Sequence, residues 1–278
     1  MARNLTPSTN PAAGLLAGKR LLITGVVTAD SIAWATTVAA IGCGADVVLT
    51  AAPRDLERAR NVVGGLDVDV EPLDVTDADD WARVSALVAD RFGTLHGALH
   101  AVAWGPADGL SGAFAGPPPQ RLDVSFATSV SSYAQLAGMV ADLADPAGAS
   151  VVGLDFDSSR AWGTYNWMGV MKSALVAVNR YVARDLGPRG VRSNLVAAGP
   201  LHTRAAGGIA GFDTLLDSWR RAPLGWDPHD PAPVADAVCF LFSDLARAIT
   251  GQVIHVDGGH SAVQGEAAVV GDAAAAGV

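Results

Sequence analysis

A chain of 278 residues, half of them apolar and only 17% charged, has the composition of a large packed core and excludes a disordered protein. Its net charge of −9 would be repelled by nucleic acid and by anionic membrane surfaces, so neither is expected as the main partner. Cys43 and Cys239 form no CxxC pair and sit in apolar surroundings, which predicts reduced, buried thiols and a cytosolic protein.

Residues 1 to about 14 and the tail from about Gln264 are small, polar or Ala/Gly-rich, and are expected to fray. Between them, short apolar runs alternate with longer helix-patterned stretches. This is the signature of βα repeats and a parallel sheet. The predicted strands are Arg20 to Thr24, Asp46 to Thr50, Val68 to Glu71, Gly97 to Val102, Ala149 to Leu154, Val191 to Val196 and Gln252 to Val256. Helices are expected after capping-type residues at Ser31, Thr76 and Asp77, with a stop at Gly187-Pro188. No composition break divides the chain, so residues 1–278 read as a single α/β domain: a doubly wound, Rossmann-type fold with seven parallel strands flanked by helices. No apolar run approaches the roughly 18 residues of a membrane span, and no secretory leader pattern opens the sequence. His96 and His100 are four apart but run into a strand, and the remaining histidines lack ligand spacing, so no metal is expected.

The first strand, LLITG, leads through GVVTADSIAW into a helix. Gly25 thus falls in the turn where a backbone must approach a pyrophosphate, and Ser31 and Ile32 open the helix whose N–H groups favour phosphate. The glycines of GxGxxG are missing after Gly25. No Asp or Glu closes the second strand, and Arg54 is compatible both with a 2′-phosphate and with stacking on adenine, so the choice between NADH and NADPH stays open on these residues. Asp74, followed by Val75, is placed either to accept from an adenine amino group or to cap the next helix.

The most informative segment is YNWMGVMKSALVAVNRYVARDLG, residues 165 to 187, predicted as one amphipathic helix. Tyr165 and Lys172 would be separated by about 700° of helical turn, which places both side chains on one face. The chain contains 17 arginines and two lysines, and Tyr165 alone among its three tyrosines has a lysine within two turns. A compact ammonium suits a ribose hydroxyl and a nearby phenol better than a planar guanidinium does. The same residues would also serve as a core tyrosine beside a snorkelling lysine.

The run VVGLDFDSSRAWGTYNWMGVMKSALVAVNRYVARDLGPRGVRSNLVAAGP, residues 151 to 200, resembles enoyl-acyl-carrier-protein reductases of the short-chain dehydrogenase superfamily. It is most similar to the branch serving mycolate-type acyl chains. GKRLLITGVVTADSIAW, LDVTD, HAVAW and GQVIHVDGG fall where that family has matching segments. Tyr-x6-Lys stands in place of the Tyr-x3-Lys of ketoreductases.

The resemblance implies hydride transfer from NADH to the β-carbon of a trans-2-enoyl thioester on acyl carrier protein or coenzyme A. Negative charge would then develop on the thioester oxygen. It gives Tyr165 the role of hydrogen-bond donor to that oxygen, gives Lys172 the nicotinamide ribose, and places Phe156 beside the nicotinamide, a position equally suited to packing at the sheet end. It also implies that Gly25, Ser31, Ile32, Asp74, Val75, Val102, Ala103 and Leu201 line the cofactor, that Met168 and Trp104 lie near the acyl chain, and that the protein is a homotetramer. Ala52 and Ala103 depart from the branch, which usually has an aromatic residue and a glycine there.

The stretch from Leu201 to Pro223, with Ile209, Phe212, Leu215, Leu216 and Trp219, is expected to be the substrate lid. It is shorter than in the mycolate-type branch, which predicts medium-chain substrates. Arg204, Arg220 and Arg221 are expected to dock the acidic carrier protein.

Overall fold

The computed structural model describes residues 13–263. Most of the two expected tails, residues 1–12 and 264–278, therefore lies outside the described residues, while Ala13 and Gly14 form an exposed turn. Seven parallel strands run β1 Arg20–Thr24, β2 Asp46–Ala51, β3 Val70–Pro72, β4 Gly97–His100, β5 Ala149–Asp155, β6 Val191–Ala198 and β7 Val253–Val256. They are ordered β3-β2-β1-β4-β5-β6-β7. The fourth strand is shorter than the sequence suggests: Ala101 and Val102 leave the ladder and become loop.

The helices are α1 Ile32–Gly42, α2 Leu56–Val63, α3 Ala78–Phe92, α4 Ala107–Leu110, α5 Pro119–Phe126, α6 Ser132–Asp142, α7 Trp167–Leu186, α8 Phe212–Trp219 and α9 Ala232–Phe242. Strands buried on both faces read as continuous apolar runs, and their alternation sorts them between two helical layers. Leu21, Ile23, Val47 and Leu49 pack with α1, α2 and α9, whereas Leu22 and Val48 pack with α3, α6 and α7.

Local signals set the helix ends. Ser31 caps α1, its Oγ accepting from the Trp34 N–H at 3.1 Å, and Asp77 rather than Thr76 caps α3. The α7 stop at Leu186 falls just before Gly187 and Pro188, as the sequence indicates. Cys43 and Cys239 are both buried and hydrogen-bonded to each other as thiols where α1 packs on α9, and burial raises the pKa of each. Among the described residues, no helix is long and apolar enough to cross a membrane.

Candidate active site

In a doubly wound sheet, ligands bind beyond the carboxyl ends of the strands where the order reverses, here between β1 and β4. A cavity of about 890 Å³ occupies that place. Gly25, at the end of β1, has φ +81 and lies against the Ala101 backbone beyond β4. Ser31 and Ile32 bring the start of α1 to the cavity, and Asp74, Val75, Val102, Ala103, Trp104 and Lys172 line it as well. The site fits a dinucleotide: a helix start supplies unpaired N–H groups, small residues Ala51 and Ala52 leave width at the end of β2, and an ammonium group stands at the far end.

Asp74 does not cap α3. Its Oδ1 accepts from the Thr76 N–H and hydroxyl, and its own N–H donates to Asp80, so the residue forms a compact turn at the rim. Leu201 lies outside the lining and is buried in the core beside β6. Met168 is also outside it, packed under Gly105 and Leu110 next to Trp104.

The helical reading of Tyr165 is corrected. The helix α7 begins at Trp167, and Tyr165 precedes it with φ +78, followed by Asn166 at φ +35. A shared helix face therefore does not relate the phenol to Lys172. The sequence YNW continues the helical apolar pattern and hides this, because the deviation is fixed by contacts outside the segment. The Asn166 side chain donates to the Gly112 carbonyl at 3.0 Å, and the Tyr165 ring stacks on Phe156 with centroids 4.1 Å apart. Non-glycine residues in this region cost about 1–3 kcal/mol each and gather at functional sites. The stack returns about 0.5–1.5 kcal/mol beyond burial.

Each group is instead held separately by the end of β5. Lys172 Nζ donates to the Leu154 carbonyl at 2.6 Å, and Phe156, two residues on, holds the Tyr165 ring. Lys172 is 7% exposed, and burial lowers its pKa while Asp155 raises it. Burial alone pushes the phenol up to about 12, so it stays protonated and able to donate through the physiological range. The expected electrostatic effect of Lys172 on the phenol is not part of that shift. Tyr165, like Phe156, stands outside the cavity lining, between the α7 cluster and the cluster formed by Phe212, Leu215 and Trp219.

The segment expected as a lid contains α8, whose apolar face packs on Trp162 and Tyr165. Arg204 is not free for an acidic partner: its guanidinium pairs with Asp55 at 3.1 Å, joining this segment to the end of β2 across the rim of the cavity. Asp55 also receives Arg54 and Arg58.

Two buried titratable groups escaped the sequence reading, although a carboxylate in VVGLDF and an imidazole in ALHAV both interrupt apolar runs. Burial pushes the Asp155 carboxyl up to about 7 against the pull of Lys172 and of the Phe156 N–H. His100 is wholly buried beside Ser132, and burial, reinforced by Lys172, lowers it to about 3. These groups tilt stability in opposite directions. The neutral His100 ring contributes stability that is complete above its ordinary 6.5 and lost as pH falls toward 3. The protonated Asp155 carboxyl contributes stability that is complete below 3.8 and lost as pH rises to about 7. Their slopes cancel between about pH 4 and 6.5. Asp155→Asn removes one slope, so its melting temperature should climb with pH across that window while the native protein's stays flatter. Parallel curves in a thermal scan would refute the assignment.

Among the described residues, no cluster of three His, Cys, Asp or Glu could hold a metal ion. Fold, glycine turn and cavity define a doubly wound α/β protein of the dinucleotide-binding class. Residues 25–261 match the family described as Enoyl-(Acyl carrier protein) reductase. The chain is 40% identical to an enoyl-[acyl-carrier-protein] reductase [NADH] of Mycolicibacterium smegmatis, over 89% of this chain and 98% of that protein. It is 41% identical to the protein so named in Mycobacterium avium, over 90% and 98%, and 34% identical to one in Bacillus cereus, over 88% and 98%. The chain belongs to the enoyl-acyl-carrier-protein reductase family.

Proposed function

We propose that this chain uses NADH to reduce the trans-2 double bond of enoyl thioesters in fatty acid biosynthesis. The observation that carries the reading is the joint arrangement at the end of β5. There the Leu154 carbonyl aims the Lys172 ammonium into the cavity, and Phe156 braces the Tyr165 phenol two residues away. A bound NADH would supply the hydride. Gly25 and the start of α1 at Ser31 and Ile32 would receive its pyrophosphate, and Asp74 and Val75 its adenine end. Lys172 keeps two donors beyond the one given to Leu154, enough to hold both hydroxyls of the nicotinamide ribose. The protonated Tyr165 would donate to the thioester oxygen as charge develops there, with Trp104 and Met168 beside the acyl chain.

The substrate arrives on acyl carrier protein. Arg220 pairs with Asp217 at 3.0 Å in an ion pair open to solvent, the kind of weak contact that a carboxylate of the carrier protein would exchange for its own. With Arg221 and the 90% exposed Leu224 beside it, the surface offers a landing place in an acidic chain. The two thiols buried side by side without a disulfide suit a reducing cytosol, and the family likeness supports a homotetramer.

NADH and NADPH oxidation should be followed with 2-enoyl and 3-oxo thioesters of graded length, on carrier protein and on coenzyme A. We expect NADH to be consumed with medium-chain enoyl thioesters, at lower KM on the carrier. Turnover of 3-oxo but not enoyl thioesters would replace this reading with a ketoreductase. Specificity constants that climb to the longest chain would reject the medium-chain preference.

A further inference from the structure

The chain from Pro119 to Asp142 is helical but not uniform. Between α5 and α6, residues Ala127–Ser131 wind as a π turn. Such a turn inserts one residue, disturbs the helical ladder and is found disproportionately at functional sites. This turn and the first residue of α6 aim two hydroxyls at the end of β4 and the stretch that follows it. Ser129 is wholly buried, and its Oγ accepts from the Trp104 N–H at 3.0 Å and donates to the Trp104 carbonyl at 3.1 Å. Three residues on, Ser132 donates to the Thr128 carbonyl at 2.6 Å. With its proton committed there, Ser132 accepts from His100 Nε2 at 2.7 Å, which fixes the imidazole tautomer and leaves the buried Nδ1 without a partner.

The two serines therefore grip the chain at His100 and at Trp104. Between these points, Ala101, Val102 and Ala103 line the cavity with Trp104 and with Thr128 from the π turn itself. The loop has left the sheet ladder, and a long 3.3 Å bond from the Ala101 N–H to Thr24 Oγ1 anchors it as well. Both polar groups of the Trp104 backbone are thus satisfied by a single side chain. That contact sets the place and direction from which the indole leaves the backbone, because a hydroxyl bonded to N–H and C=O of one residue restrains the rotation of its peptide planes.

We propose that Ser129 is a positioning residue that sets acyl-chain selectivity by holding the Trp104 backbone, and that the π turn exists to deliver its hydroxyl there. The selectivity part rests on the reading above that the site reduces enoyl thioesters.

The test pairs Ser129→Ala with Trp104→Ala and the double variant. Amide hydrogen exchange, which needs no turnover, should speed up about tenfold in the peptide covering residues 101–106 of Ser129→Ala, the effect of losing one or two net hydrogen bonds, with β1 and α1 unchanged. In the assay, Ser129→Ala should raise KM for the preferred enoyl thioester about tenfold and flatten the chain-length profile while kcat stays within about twofold. In the Trp104→Ala background the same change should have no further effect on the profile, since the indole it positions is gone. Unaltered exchange in residues 101–106 would overturn the grip. Altered exchange with an unaltered profile, or effects that simply add, would overturn the selectivity role. If Ser129→Ala is not recovered folded, Ser129→Cys, of similar size and weaker hydrogen bonding, should shift exchange and KM the same way by less, and wild-type values would overturn the proposal. A native protein inactive on every enoyl thioester would sink the proposed reaction, and the exchange experiment would still decide whether Ser129 holds the loop.

Discussion

Tyr165→Phe is expected to lower kcat by about 100- to 1000-fold, the loss that follows removal of one preorganised donor to a developing oxyanion, while NADH affinity stays near the native value. Phenylalanine preserves the ring that stacks on Phe156, so packing is retained and the missing hydroxyl is the only change. Lys172→Ala should behave differently. It removes the ammonium proposed for the ribose, bares the Leu154 carbonyl and leaves the Asp155 carboxyl without the charge that pulls its pKa down. Two charge-assisted hydrogen bonds to a ribose are together worth about 3 kcal/mol, or about 100-fold in NADH affinity, with turnover falling at least as far. Nucleotide titration separated from single-turnover rates distinguishes the two patterns. Variants that turn over like the native protein would remove both residues from the chemistry, and a Tyr165→Phe defect confined to NADH binding would exchange their roles.

The difference between these residues also marks what could be read from the sequence. Strand positions follow from runs such as RLLIT and DVVLTA, because burial on both faces demands continuous apolar character and little else competes. The backbone features that line the cavity at Gly25, Ser31 and Asp74 were visible, since each is a local turn or helix start with a local residue signature. Lys172 stood out by rarity in an arginine-rich chain, and its burial agrees with that signal. Tyr165 was misplaced. Its segment has helical spacing, but stacking on Phe156 and the tie from Asn166 to Gly112 hold it in a left-handed conformation that no local pattern encodes. The Arg204–Asp55 pair spans 149 positions and the Ser129 grip spans 25, so both depend on topology and were invisible to spacing arguments. Leu201 was assigned by resemblance to the cavity, yet it follows the β6 turn into the core, where an apolar residue is better accommodated.

The severest change expected from adding a single methyl group is Gly25→Ala. At φ +81 an alanine carries a left-handed penalty of about 1–2 kcal/mol. That penalty alone is tolerable, as Gly18→Ala should show: Gly18 has φ +72 and open space where the methyl would stand. At Gly25 the methyl would overlap the Ala101 carbonyl oxygen and lie 2.8 Å from its carbon. These are backbone atoms, so relief requires moving the end of β4 and with it the Ala101–Trp104 wall of the cavity, while the Gly25 N–H must keep its 2.9 Å bond to Thr50. We expect Gly18→Ala to lose about 1–2 kcal/mol in urea unfolding and to bind NADH normally. Gly25→Ala should lose at least about 3 kcal/mol, strain and overpacking combined, and bind NADH too weakly to titrate. Equal midpoints and equal NADH affinity for the two variants would show that the close approach of β1 and β4 is not what shapes the nucleotide site.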